Sequence, residues 1–187
     1  MKKVVFTLAL ALIGTLAFSQ DDDNDNHQIS FSIPATSILD IEGPGGNNSI
    51  NFTPEAITEA GNAFDFNLSN STLWLNYSNI KPSVDATRKV TVGMTNDLPT
   101  GMTLTVTAGN DAGNGEGVKG SPNASAITLS NGSSSTIITG IGSAYTGNGV
   151  NNGHQLTYNL SFDDEEFETL SADLNQSVTI TYTIADE

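Results

Sequence analysis

The chain contains no cysteine. Disulfides, zinc–thiolate sites and thiol nucleophiles are therefore excluded. Basic residues are scarce: 6 Lys and Arg stand against 21 Asp and Glu in 187 residues, a formal charge of −15. Such a chain cannot neutralise nucleic-acid phosphates, so no nucleic-acid partner is expected. Charged residues make up only 14% of the sequence, against ~25% in ordinary soluble domains, and its polar positions are filled largely by Thr, Ser and Asn instead. His27 and His154 are the only imidazoles, and no serine lies in a G-x-S-x-G setting. A glycosidase would need two carboxylates facing each other across a cleft. Asp40 and Asp65 come nearest, and both sit where a strand would face solvent. No enzyme is expected.

Long apolar runs are also missing, except at the start. Lys2 and Lys3 precede the apolar stretch VVFTLALALIGTL, and Ala17-Phe18-Ser19 places small residues where a signal peptidase reads. The run is shorter than the ~20 residues that span a bilayer, and it stops at DDDNDN. Residues 1–19 are therefore read as an export signal cleaved after Ser19. The destination is the periplasm, the cell surface or the medium, with no membrane insertion after cleavage. Cleavage would leave four basic residues against 21 acids, a charge of −17. Residues 20–26 are read as a disordered acidic arm with nothing to bury.

What the sequence does contain is alternation. Ile29, Phe31 and Ile33 alternate with polar residues, as do Leu39 and Ile41, Ile50 and Phe52, and Phe64, Phe66 and Leu68. The pattern continues through Leu73, Leu75 and Tyr77, then Val90, Val92 and Met94, then Met102, Leu104 and Val106. It recurs at Ile127 and Leu129, at Ile137-Ile138, along HQLTYNLSF, and in the closing SVTITYTI. A period of two buries one face of a strand and wets the other. About ten such runs between Gly, Asn, Asp and Pro turns predict one all-β domain over residues 27–187. The expected form is an antiparallel Ig-like or jelly-roll-type sandwich of about 8–10 strands. Short helical turns are expected at residues 54–60 and 165–172. Residues 109–123 and 140–153 are read as long irregular loops, which are commonly functional.

Four groups of candidate site residues follow. Asp163, Asp164, Glu165 and Glu166 are adjacent carboxylates whose repulsion calcium would relieve; the plainer reading is a solvated turn at a helix start. The Gly-rich stretch GNDAGNGEG lacks calcium-loop spacing. Trp74 lies opposite in phase to Leu73 and Leu75, so its ring is a candidate glycan platform. Tyr145, in the second long loop, is the alternative exposed aromatic. Ile29, Phe31 and Ile33 have the alternation a strand needs to add to another subunit; the plainer reading makes residues 27–33 the first strand of their own sandwich. No cofactor is required, calcium being the one candidate.

The export signal, the Thr/Asn/Gly-rich strands, the segments TLTVTAGND and SAITLS, and the closing strand SVTITYTI after DLNQ together carry a resemblance. The chain resembles secreted fimbrial-subunit-like β-sandwich surface proteins, of pilin or adhesin type, of Gram-negative bacteria. Many pilins carry a disulfide, which this chain lacks. The resemblance implies a structural or adhesive surface role, with self-association through an inserted N-terminal strand or contact with other surface proteins. A secreted carbohydrate-binding module, calcium-assisted or not, is the alternative.

Overall fold

A computed structural model describes residues 23–172 and 174–187. The expected export signal lies outside the described residues. Among the described residues, all strands fall in the compact unit Pro34–Glu187; a separate unit ends at Ile33 and is described from Asp23 onward.

The strands are β1 (Thr36–Glu42), β2 (Leu68–Ile80), β3 (Arg88–Thr95), β4 (Met102–Asp111), β5 (Glu116–Pro122), β6 (Ile127–Thr128), β7 (Ser134–Tyr145), β8 (His154–Phe162) and β9 (Thr179–Asp186). Every ladder between them is antiparallel. The main path runs β6-β4-β8-β2-β7-β3-β9, with β1 on β2 and β5 on β7. This is the expected all-β class.

Two long strands join the layers. The first part of β2 pairs with β8, and its second part pairs with β1. Ser78 and Asn79 near its end also pair with β7. One layer is thus β1-β2-β8-β4-β6 and the other β9-β3-β7-β5, continuous where β2 meets β7. The core lies between them. Leu75, Leu156 and Val106 enter it from the first layer, and Val90, Val92, Ile137, Ile138 and Ile141 from the second.

Alternation places most of these residues, as the period of two requires. Ile137 and Ile138 are adjacent, yet both are buried. The register explains this: Val90 pairs with Ile138 but Thr91 with Thr136, so one residue of β7 is extra. Such a bulge turns two successive side chains toward one face.

Several expectations are corrected. Residues 27–33 form no strand, so they are not the first strand of the sandwich; that strand is β1. Ile50 and Phe52 lie in irregular chain, although both pack on the core. Phe64 and Phe66 also lie outside strands, and Phe66 packs against Phe162 with ring centroids 5.2 Å apart. Residues 54–60 form no helix. The second helical turn exists as a 3-10 helix, Asp164–Thr169. The two long loops shrink. Most of residues 109–123 belongs to β4 and β5, and β7 runs on to Tyr145. Glycines caused the misreading. Gly117, Gly120 and Gly140 sit inside strands with positive φ, where they shape irregular ladders rather than loops.

Candidate functional site

Ile29, Phe31 and Ile33 are 77%, 89% and 71% exposed and carry no regular secondary structure. Three alternating apolar side chains in open solvent form an apolar row with nothing among the described residues packed on it.

Among the described residues the sandwich has four edge strands. β6 has two residues, too few to template another strand. β5 holds Pro122 and two positive-φ glycines, which blunt an edge. β1 carries Asp40 and Glu42. β9 differs: it pairs with β3 along all eight residues, has no hydrogen-bonded strand on its other side among the described residues although β1 comes near it, and has no proline, no lysine and one terminal acid. Its inward side chains Ile180, Tyr182 and Ile184 are only half-buried. The Tyr182 hydroxyl meets that of Tyr158 at 2.6 Å, tying β9 to β8 across the core. Burial pushes the Tyr158 hydroxyl up to about 12, so the pair stays protonated.

The aromatic candidates lie on the outer surface of the first layer. Trp74, Asn76 and Ser78 alternate with the core-facing Leu73, Leu75 and Tyr77. Trp74 pairs with Glu42 of β1 and Gln155 of β8, Asn76 with Asp40, and Ser78 with both Ile38 and Tyr145. Directly paired residues share a face. The structure therefore brings Trp74 and Tyr145 together on one face, Tyr145 from the end of a strand rather than from a loop.

Beneath this face is a polar cluster that sequence reasoning missed. His154 is fully buried. Its Nδ1 lies 2.9 Å from the Gly109 carbonyl, which only accepts, so Nδ1 carries the proton. Its Nε2 faces the Tyr77 hydroxyl at 2.9 Å, and that hydroxyl also touches the Lys119 carbonyl. Lys119 Nζ pairs with Asp111 at 2.6 Å with both side chains largely covered, and donates to the Gly115 carbonyl at 3.0 Å. Burial holds the His154 imidazole below its usual pKa of 6.5, with the Gly109 carbonyl and the Asp111 carboxylate acting in opposition. The cluster joins β2, β4, β5 and β8. Its chemistry is that of a brace: neither imidazole nitrogen is open to a substrate. The only early signal was position, a histidine heading an apolar-alternating strand.

Gly153 sets the entry to that brace. Its φ is +67°, and an added Cβ would stand 2.2 Å from the Leu75 carbonyl oxygen. Gly153→Ala should therefore cost at least ~2 kcal/mol, from left-handed strain and forced displacement. Urea unfolding checks this: the midpoint should fall with an unchanged slope.

No protein-family model, curated protein or solved structure matches this chain. The residues alone must carry the functional reading.

The acidic run opens the 3-10 helix. Asp163 caps it by accepting from the Glu165 amide at 3.1 Å, and Asp164, Glu165 and Glu166 fill its first turn. Among the described residues, no three His, Cys, Asp or Glu side chains converge as a metal cage would require. Asp40 and Asp65 each accept from a nearby backbone amide, of Ile41 and Asn67. His27 is exposed.

Proposed function

We propose that this protein is an exported, non-enzymatic surface subunit that assembles by strand addition. Residues 27–33 of one copy pair with the free edge of β9 in the next. The observation that carries this reading is the exposure of Ile29, Phe31 and Ile33 outside any strand. Strand addition needs a donor with apolar side chains on one face and an acceptor edge with unpaired backbone groups. β9 supplies such an edge, with three half-buried apolar residues to meet three donor residues. The resemblance to fimbrial subunits points the same way. So does the export signal, which sends the chain to the periplasm, the cell surface or the medium. No cofactor takes part.

An inward-facing charge is how natural edge strands refuse partners. Ile180→Lys should leave a folded monomer and remove self-association. Light scattering after gel filtration reads the mass, and a thermal melt reads the fold. Assembly that persists in Ile180→Lys would place the acceptor elsewhere.

A further inference from the structure

We propose that the outer face running from Trp74 to Tyr145 binds a neutral oligosaccharide. This goes beyond assembly, since it concerns a different face and a different partner.

The two rings mark the ends of the face. Trp74 and Ser78 are four residues apart on β2, about 13 Å at ~3.3 Å per residue, and Tyr145 pairs with Ser78. Beside Tyr145 lies an open depression of about 300 Å³, lined by Ile38, Asp40, Asn76, Ser78, Tyr145 and Asn148 among others, with the half-buried Trp74 outside its lining. Tyr145 is 51% exposed and Ile38 63%. A pyranose ring has a C–H-rich face and a rim of hydroxyls. Tyr145 and Ile38 offer apolar surface to the first, and Asp40, Ser78 and Asn148 offer polar groups to the second.

A second observation concerns the wall of the depression. Asn76 is 4% exposed. Its Nδ2 donates to the Asn152 carbonyl at 2.7 Å, while its Oδ1 has no partner. That oxygen is closed to solvent, so Asn76 shapes the wall, and the groups left to meet a ligand are those of Ile38, Asp40, Ser78, Tyr145 and Asn148. Charge then selects the class of glycan. Asp40 and Glu42 lie on this face, none of the residues named on it is basic, and the whole chain is strongly acidic. Sialylated, sulfated and uronate-rich glycans are repelled.

The test is an array of neutral and acidic oligosaccharides graded from monosaccharide to hexasaccharide, followed by calorimetric titration of the best neutral binder. Wild-type protein should bind neutral members and ignore acidic ones, with affinity rising with length. Tyr145→Ala should weaken every neutral member by about tenfold or more, with an unchanged thermal melt. Trp74→Ala should erase the gain from length while leaving the shortest binder unchanged. Three results would each overturn the proposal: no neutral member above background, preference for acidic members, or binding indifferent to Tyr145→Ala.

Discussion

Deleting residues 21–33 is expected to convert an assembling protein into a monomer without altering its fold. Among the described residues, the unit Pro34–Glu187 contains every strand and every core residue, so the deletion removes no internal packing from it. The thermal melt should be unchanged within a degree or two. Assembly should be lost because the donor is gone. Burying a side chain such as Ile or Phe stabilises by ~1.5–3 kcal/mol, while ordering each donor residue costs ~1–2 kcal/mol of backbone entropy. Ordering seven residues therefore costs ~7–14 kcal/mol, a few kcal/mol more than the ~4.5–9 kcal/mol that the three apolar side chains return. The edge hydrogen bonds, at ~0.5–1.5 kcal/mol each, then decide the sign. An association so balanced depends strongly on each apolar contact. Phe31→Ser alone should weaken it by roughly a hundredfold, the equivalent of ~2–3 kcal/mol. Light scattering after gel filtration should show wild type above the monomer mass, increasingly so with concentration, and the deletion at the monomer mass. A deletion variant that still exceeds the monomer mass would end the strand-addition reading.

The class of the fold was legible because its signal is local. Val90, Val92 and Met94, or Leu104 and Val106, announce a strand face without knowledge of any partner. The failures are also informative. Ile29, Phe31 and Ile33 alternate as clearly as any true strand, as do Ile50 and Phe52. Yet they lie outside the ladders. Alternation states that one face seeks burial; it does not state which edge is free to receive it. The opposite error occurred at residues 116–122, where glycines hid a strand. Gly117 and Gly120 are needed because a Cβ there would strike β7 backbone, at Ser143 and Thr139. Long-range pairing was invisible altogether. Trp74 and Tyr145 are separated widely in sequence and reach one face only through the β2–β7 pairing at Ser78 and Asn79. The His154 brace has the same origin, since its residues come from four different strands.

The brace yields the second large effect. His154→Ala should destabilise the sandwich by about 2–4 kcal/mol: the side chain leaves a cavity, and the Gly109 carbonyl loses its donor in a buried site. For a domain of this size that lowers the melting temperature by on the order of 10 °C. His154→Phe keeps much of the volume and loses only the polar contacts, so it should cost less than alanine. The pH dependence separates the imidazole from mere packing. Burial lowers the pKa of His154 in the folded protein below 6.5. The unfolded chain therefore takes up a proton that the folded chain refuses, and stability must rise with pH across that interval. The contribution is complete above the unfolded value and is lost as pH falls from about 6.5. Asp111, Lys119 and Tyr77 are the other ionisable groups of the cluster, and all three are retained in His154→Phe. The stability advantage of wild type over His154→Phe should thus be largest near pH 8 and shrink steadily toward pH 5. Denaturant unfolding of both proteins across that range measures it. A constant difference would mean that the imidazole carries the same charge folded and unfolded, and that His154 acts through its shape alone.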